Sequence, residues 1–402
     1  MNDNLLNGNV TSIVEEGAFA VLENVLRAQA EGHDVINLGI GQPDLLPPQH
    51  ALEAAARAAR EGPHGYTSSL GVAPLREAVA ADVAARTGMS VTADEVVIAP
   101  GGKVTIFLAA TLFGGAGTEI LYPDPGFPAY REAARMSGAV AIPYPVKAER
   151  GFSFNADDVL GLINERTRLI ILNSPANPTG GVVERAELDR LAEGLLRHPH
   201  VAVLTDEIYS QLVFDGSEFA SFFRYPELQD RTILLDGWSK TFAMTGWRLG
   251  YGVWPKGLIP HVRKLVSTSY SCVNVAAQLG GLAALTGPRS DVEAYRAKLK
   301  ERRDAVVAGL NAIPGISCQV PGGAFYVFPD VTGTGWSSQA FAQMLLDQAH
   351  VAVIAGESFG ENGAGFVRIS YATELDRLLE AIDRIKVFLE TYPVLGRAGN
   401  FS

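Results

Sequence analysis

The amino-acid sequence predicts an α/β fold. Short β-branched and leucine-rich runs alternate with stretches of helical apolar spacing through most of the 402 residues, no low-complexity linker divides them, and no internal repeat is visible. With 47% hydrophobic residues the chain can bury substantial cores. In chain order, residues 12–32 have helical spacing, with Phe19, Leu22, Val25 and Leu26 at the apolar positions. Residues 95–113 read as a strand, then Gly101 and Gly102, then a helix. Residues 168–183 are a strand running into a Pro/Gly-rich loop that holds Asn177. Residues 201–214 are a strand ending in Asp206, with Tyr209 three residues later. In residues 233–253, the run Ile233, Leu234, Leu235 is a buried strand that delivers Ser239 and Lys240 into a loop, which ends at Arg248 and a second apolar strand. A long helix is predicted from about residue 292 to 311, with Leu299, Val306, Val307 and Leu310 on its apolar side. Arg368 lies in the strand-like FVRIS. Residues 1–9 and 397–402 read as loose, polar ends.

These placements carry chemistry. In an open α/β sheet, ligands sit beyond the carboxyl ends of the strands, so Asp206 and Lys240 face a crevice. A lysine that can form an imine and an arginine that can hold a phosphate are what pyridoxal 5'-phosphate (PLP) requires of its protein. Its pyridine nitrogen also needs a carboxylate partner to act as an electron sink, and Asp206 fits. Tyr209 and the amide of Asn177 are within reach of such a ring. Free amides after Gly101 and Gly102, at a helix N-terminus, suit a phosphate. Taken singly, each group has a plainer reading. Lys240 is then a solvated surface charge, Asp206 a helix cap, Tyr209 a core aromatic and Arg368 an ion-pair arginine.

In this order the motifs resemble those of class I/II aminotransferases of PLP fold type I, the aspartate aminotransferase superfamily. The likeness runs from about Ile36 to about Ile385. It is carried by GQPD at 41–44, YTSSLGVAPLREA at 66–78, PGGK at 100–103, PDPGFPAY at 123–130, NSPANPTG at 173–180, DEIY at 206–209, SKTFAMTGWRLG at 239–250, GGAFYVF at 322–328 and VRISYA at 367–372. The resemblance implies a large PLP-binding domain over residues 46–286, with a mainly parallel seven-stranded sheet flanked by helices. It also implies a smaller α+β domain, built from residues 287–402 and joined by the N-terminal segment 1–45.

It further implies roles. Lys240 holds PLP and moves the substrate proton, which requires a neutral amine and hence a lowered pKa. Asp206 partners the pyridine nitrogen, and Asn177 and Tyr209 donate to the ring oxygen. Arg248, Ser239 and the backbone amides of Gly102 and Lys103 hold the phosphate, and Phe127 stacks on the ring. Tyr66 reaches the phosphate of a partner subunit, so a homodimer with shared active sites is expected. Arg368 forks onto the substrate α-carboxylate by two charge-assisted hydrogen bonds, aided by Gly41 and Asn177. The implied activity is transfer of an α-amino group from an amino acid to a 2-oxo acid by a ping-pong route. The alternative is a lyase, γ-replacement, cyclisation or carbon–carbon bond-forming enzyme on the same machinery, with adenosylmethionine among its candidate substrates.

Departures from the pattern are Trp238, where smaller residues are usual, Lys103 after the glycine pair, and the segments 269–278 and 353–360 where relatives shape the pocket and its rim. The net charge of −11, without any Lys/Arg run to offset it, argues against a nucleic-acid partner. The short stretch before Ile36 holds no helix-turn-helix, which disfavours a transcription regulator. Only Cys272 and Cys318 are present, so no disulfide framework or metal site is expected. With no N-terminal signal pattern and no apolar run of about 18 residues, a cytoplasmic enzyme without membrane contact is expected.

Overall fold

The apolar runs become the centre of an eight-stranded sheet. The computed structural model describes residues 7–11, 13–215 and 219–394. Of the two ends read as loose, residues 1–6 and 397–402 lie outside the described residues, and Gly8–Thr11 forms a helical turn. The strands are β1 (Val96–Ala99), β2 (Glu119–Asp124), β3 (Val140–Lys147), β4 (Ser153–Phe154), β5 (Thr167–Asn173), β6 (Ala202–Asp206), β7 (Thr232–Gly237) and β8 (Gly250–Val253). Their spatial order is β1-β8-β7-β6-β5-β2-β3-β4. From β7 to β3 the pairs are parallel, whereas β8 runs antiparallel to both β7 and β1. The family resemblance implies seven strands. The eighth is β4, whose two residues pair antiparallel with the end of β3, Phe154 opposite Val146, and are too few to register as an apolar run.

The central strands are apolar on both sides because both faces of the sheet are covered. Ile233 and Leu235 pack on one face with Ile106 of helix α2, after the first long helix α1 (Gly17–Ala30); α2 spans Gly102–Phe113. Leu234 points the other way, against Trp238 and Leu249. All three side chains of this run are at most 1% exposed.

A separate core forms around helix α4 (Ser290–Asn311), which follows the short helix α3 (Trp238–Thr241) in chain order. Leu299, Val306, Val307 and Leu310 lie in this core, with Phe325, Val367 and Ile369. Its three-stranded sheet, β9 (Tyr326–Val327), β10 (Ile354–Ala355) and β11 (Val367–Ser370), has the order β9-β11-β10. Ile36–Asn37 pairs in parallel with Val351–Ala352, so the N-terminal segment is tied to the C-terminal part. Helix α1 departs from its predicted packing: only Val25 is buried, while Phe19 and Leu26 are about half exposed, at 50% and 56%. Its apolar positions are divided between a small buried cluster around Val25 and the mouth of a cleft that Phe19 lines. No helix among the described residues is long and apolar enough to cross a membrane.

The sheet and α2 meet most closely at Gly250. A Cβ there would lie 2.4 Å from the Gly102 nitrogen and 2.7 Å from the Gly101 carbonyl carbon, and rigid backbone cannot yield as a side chain can. Gly250→Ala is therefore expected to cost roughly 1–3 kcal/mol of stability, as overpacking does. A denaturation midpoint equal to that of the unaltered protein would show that this contact does not set the seat of α2.

Candidate active site

Strand register gathers the site. Asn173, the last residue of β5, is level with Asp206, the last of β6, and Asp206 is level with Leu235 of β7. Helix α3 follows β7 at once and carries Ser239 and Lys240, so the stretch read as a loop opens instead with a helical turn. Helix α2 starts just beyond β1. As a result Lys240, Asp206, Tyr209, Asn177, Gly41, Gly102, Lys103, Phe127, Ser239, Arg248 and Arg368 all line one cavity of about 520 Å³. Tyr66 is not among them.

The Lys240 ammonium nitrogen donates to the Gly41 carbonyl at 2.5 Å and lies 5.5 Å from the centre of the Phe325 ring. Burial, then the positive charge of Arg368, with further contributions from Arg248 and Lys103, lowers its pKa to about 7; Glu16 acts in the opposite sense. Asp206 is 4% exposed, and burial raises its pKa to about 7 against hydrogen bonds from the Tyr130 hydroxyl (2.8 Å) and the Ile208 amide (3.2 Å). An amine pushed down and an acid pushed up, both to near neutrality, mark a site that handles protons.

Tyr209 shares a 2.8 Å hydrogen bond with the hydroxyl of Tyr326, and burial holds its phenol well above the usual pKa, so it keeps its proton as a donor. Gly41 is a glycine for a steric reason: a Cβ there would stand 2.0 Å from the Tyr326 hydroxyl. The Asn177 side-chain oxygen accepts from Arg368 Nη1 at 2.8 Å. Because a guanidinium only donates, this fixes the amide orientation and leaves the Asn177 NH2 group for a ligand in the cavity.

A phosphate-sized anion has a cradle at the start of α2. Gly101 has φ +91°, and a Cβ there would be 2.2 Å from Arg248 Nη2, so only glycine lets the guanidinium and the first-turn amides converge. Arg248 itself sits at φ +51° and is braced by a bond from its Nη1 to the Thr245 carbonyl at 2.8 Å. A left-handed backbone at a non-glycine residue is a cost that sites tolerate for positioning.

Arg368 is 3% exposed. Asn177 holds its Nη1, the Gly39 carbonyl takes Nη2 at 2.5 Å, and the rings of Tyr326 and Phe359 flank it at 4.6 and 4.7 Å. Its Nε is buried without a partner. A fixed guanidinium with an unused buried donor, beside a lysine and an anion cradle, fits the carboxylate of an amino acid together with a phosphorylated pyridine aldehyde. The loop that supplies Gly39 and Gly41 is anchored from behind, where Arg302 of α4 forks onto Asp44 at 2.9 and 2.8 Å.

Sequence reasoning missed three residues. Tyr130 and Tyr326 stand inside the motifs PDPGFPAY and GGAFYVF, which was the available signal, but each acts through another residue, Asp206 or Tyr209. Glu16 ion-pairs with Lys103 at 2.6 Å across 87 positions of sequence, and nothing local marks it. Of the departures, Trp238 points away from the cavity: it is 1% exposed, and its indole N–H donates to the Gly281 carbonyl at 2.9 Å. Residues 272–276 do not shape this cavity. They line a separate surface depression that includes Tyr66, which is 92% exposed.

Residues 33–385 match the sequence profile of the family described as aminotransferase class I and II. The chain is 39% identical over 364 residues to an aspartate aminotransferase of Pyrococcus horikoshii, covering 89% of this chain and 91% of that one. Among solved structures, an aspartate aminotransferase from Rhizobium meliloti superposes with a TM-score of 0.91 at 34% identity, covering 96% and 98% of the two chains. An alanine aminotransferase from Pyrococcus furiosus superposes with a TM-score of 0.90 at 32% identity, covering 96% and 100%.

The lowered pKa of Lys240 is directly measurable. In the cofactor-free protein, its labelling by a neutral aldehyde, trapped by reduction and read by mass spectrometry, is expected to rise with a midpoint near pH 7. The neutral amine is the reactive form, so labelling levels off above that pH. A midpoint near the ordinary lysine value of about 10.4 would show that burial and the surrounding cations do not govern this amine.

Proposed function

The chain belongs to the aminotransferase class I and II family, and on that premise we propose how its cleft performs amino-group transfer. The protein is a PLP-dependent transferase of fold type I. The relatives in Pyrococcus and Rhizobium carry aminotransferase names, and nothing favours elimination, replacement, cyclisation or carbon–carbon bond formation as the outcome.

In the proposed arrangement Lys240 holds the aldehyde carbon of pyridoxal 5'-phosphate, and the α2 amides of Gly102 and Lys103, with Ser239 and Arg248, hold its phosphate. Asp206, kept in place by Tyr130, takes the pyridine N–H; Asn177 and Tyr209 donate to the ring oxygen, and Phe127 lies against the ring. Bound there, the cofactor supplies an electron sink that lets the substrate α-carbon give up its proton. Lys240, as a neutral amine, takes that proton, which is the task its lowered pKa suits. Arg368 grips the α-carboxylate, and Asn177 and the Gly41 backbone help fix its angle. In the net reaction an amino acid and a 2-oxo acid would exchange amino and keto groups in two halves, with one water taken up in the first to supply the keto oxygen and one released in the second, the nitrogen resting on the cofactor between them.

The single observation that carries this reading is the convergence of Lys240, Asp206 and the part-satisfied Arg368 in one cavity. Aspartate is the proposed amino donor. Support comes from the names of the relatives and from Lys103, an ammonium on the cavity wall able to meet a second carboxylate. We also assign Tyr66 to a partner subunit's phosphate, the protein to homodimers and the enzyme to the cytoplasm. The exposure of Tyr66 away from its own cleft supports the first two. The division of the chain into 1–45, 46–286 and 287–402 belongs to the same proposal and is supported by the separate core around α4.

The experiment is an absorbance scan of the PLP-loaded protein while amino acids are added singly. Aspartate should convert the cofactor to its amine form, reversed by a 2-oxo acid; turnover that regenerates the aldehyde form without any oxo acid would refute transamination. Lys240→Ala should abolish turnover. Arg368→Lys should weaken the amino acid by about 10- to 100-fold, the worth of a charged hydrogen-bond fork, and cofactor affinity far less. Equal losses of both would take Arg368 out of the substrate role.

A further inference from the structure

Glu16 stands at the start of α1, in the position that caps a helix, yet its side chain makes no capping bond. Its carboxylate instead crosses the mouth of the cavity to Lys103, Oε2 to Nζ at 2.6 Å. Both residues line the cavity, and neither is deeply buried: the side chains are 22% and 37% exposed. The Lys103 ammonium also sits 5.0 Å from the centre of the Phe127 ring and 5.8 Å from that of Phe19. The residue after Glu16 packs closely: a Cβ on Gly17 would lie 2.8 Å from Ser358 Oγ.

Such an arrangement acts in two ways. First, a pair this open to solvent is held weakly, and an incoming carboxylate of the same charge can take the place of Glu16 at modest cost. Second, when no carboxylate arrives, the pair neutralises itself. A neutral side chain then meets the Phe19 and Phe127 rings and a satisfied ion pair, not an unpaired ammonium whose desolvation would penalise it.

We infer that Glu16 is a displaceable counter-ion that widens the substrate class: it yields Lys103 to the distal carboxylate of a dicarboxylic amino acid and reclaims it when the side chain is neutral. The inference rests on the proposed function, because it takes the cavity as the amino-acid site. It concerns a residue outside the machinery of proton transfer and phosphate binding.

The test is binding to the PLP-loaded protein by calorimetry, with succinate and its monoamide succinamate, which differ at the distal group by one charge. Glu16→Gln removes the competitor and nearly keeps the shape. The preference for succinate over succinamate is expected to rise about fivefold, the scale of an exposed ion pair. In a Lys103→Met background the same Glu16→Gln change should leave that preference unmoved, because the two effects act through one pair and do not add. The inference is overturned if Glu16→Gln does not raise the preference, or if the rise persists without Lys103 and so reflects only the general field of a removed charge. The binding ratio is read without turnover, so it stands or falls independently of whether aspartate proves to be a donor.

Discussion

A primary amine whose pKa is drawn down to about 7 is the constraint on which this structure turns. An exposed lysine titrates far higher, and lowering it requires burial together with nearby positive charge. Both are built into the fold. Strand β7 and helix α3 carry Lys240 into the cavity, and Arg368, Arg248 and Lys103 arrive from three different elements. Those cations would repel one another without local acceptors. Gly39 and Asn177 brace Arg368 while leaving its Nε free, Thr245 braces Arg248, and Glu16 pairs with Lys103.

The same economy of backbone governs the other half of the site. One short loop provides both the Gly39 carbonyl to Arg368 and the Gly41 carbonyl to Lys240, so the two cations are spaced by a single piece of chain. That piece is locked by the buried Arg302 fork on Asp44. The geometry between the Lys240 amine and the Arg368 guanidinium is therefore set by the core around α4 as much as by the large sheet.

Much of this was legible in sequence, for a physical reason. Parallel strands buried on both faces must be apolar, so Ile233–Leu235 and the run before Asp206 announce themselves, and the polar residue that follows each one marks the sheet edge. Groups that work through a second residue were not legible. Tyr130 reads as one more aromatic until its hydroxyl is seen on Asp206, and the pairing of Glu16 with Lys103 depends on a tertiary approach that no local pattern encodes. Trp238 shows the converse: an unusual letter two residues before Lys240 leaves the site alone, because its ring turns into the core against Tyr251. Strand β4 was missed because two residues make no pattern.

The shallow packing of α1 beyond its first residue separates two properties that enzymes often find entangled. Glu16 and Phe19, which line the mouth of the cavity, sit at the start of a helix with Val25 as its single buried residue, whereas Lys240, Asp206 and Arg248 are set by the central sheet. Re-spelling the helix therefore disturbs little packing, and only a change at Glu16 would also bear on the Lys240 pKa. New substrate ranges are accessible to drift, or to a designer, along a short surface stretch, without the protein first having to find a new way to fold.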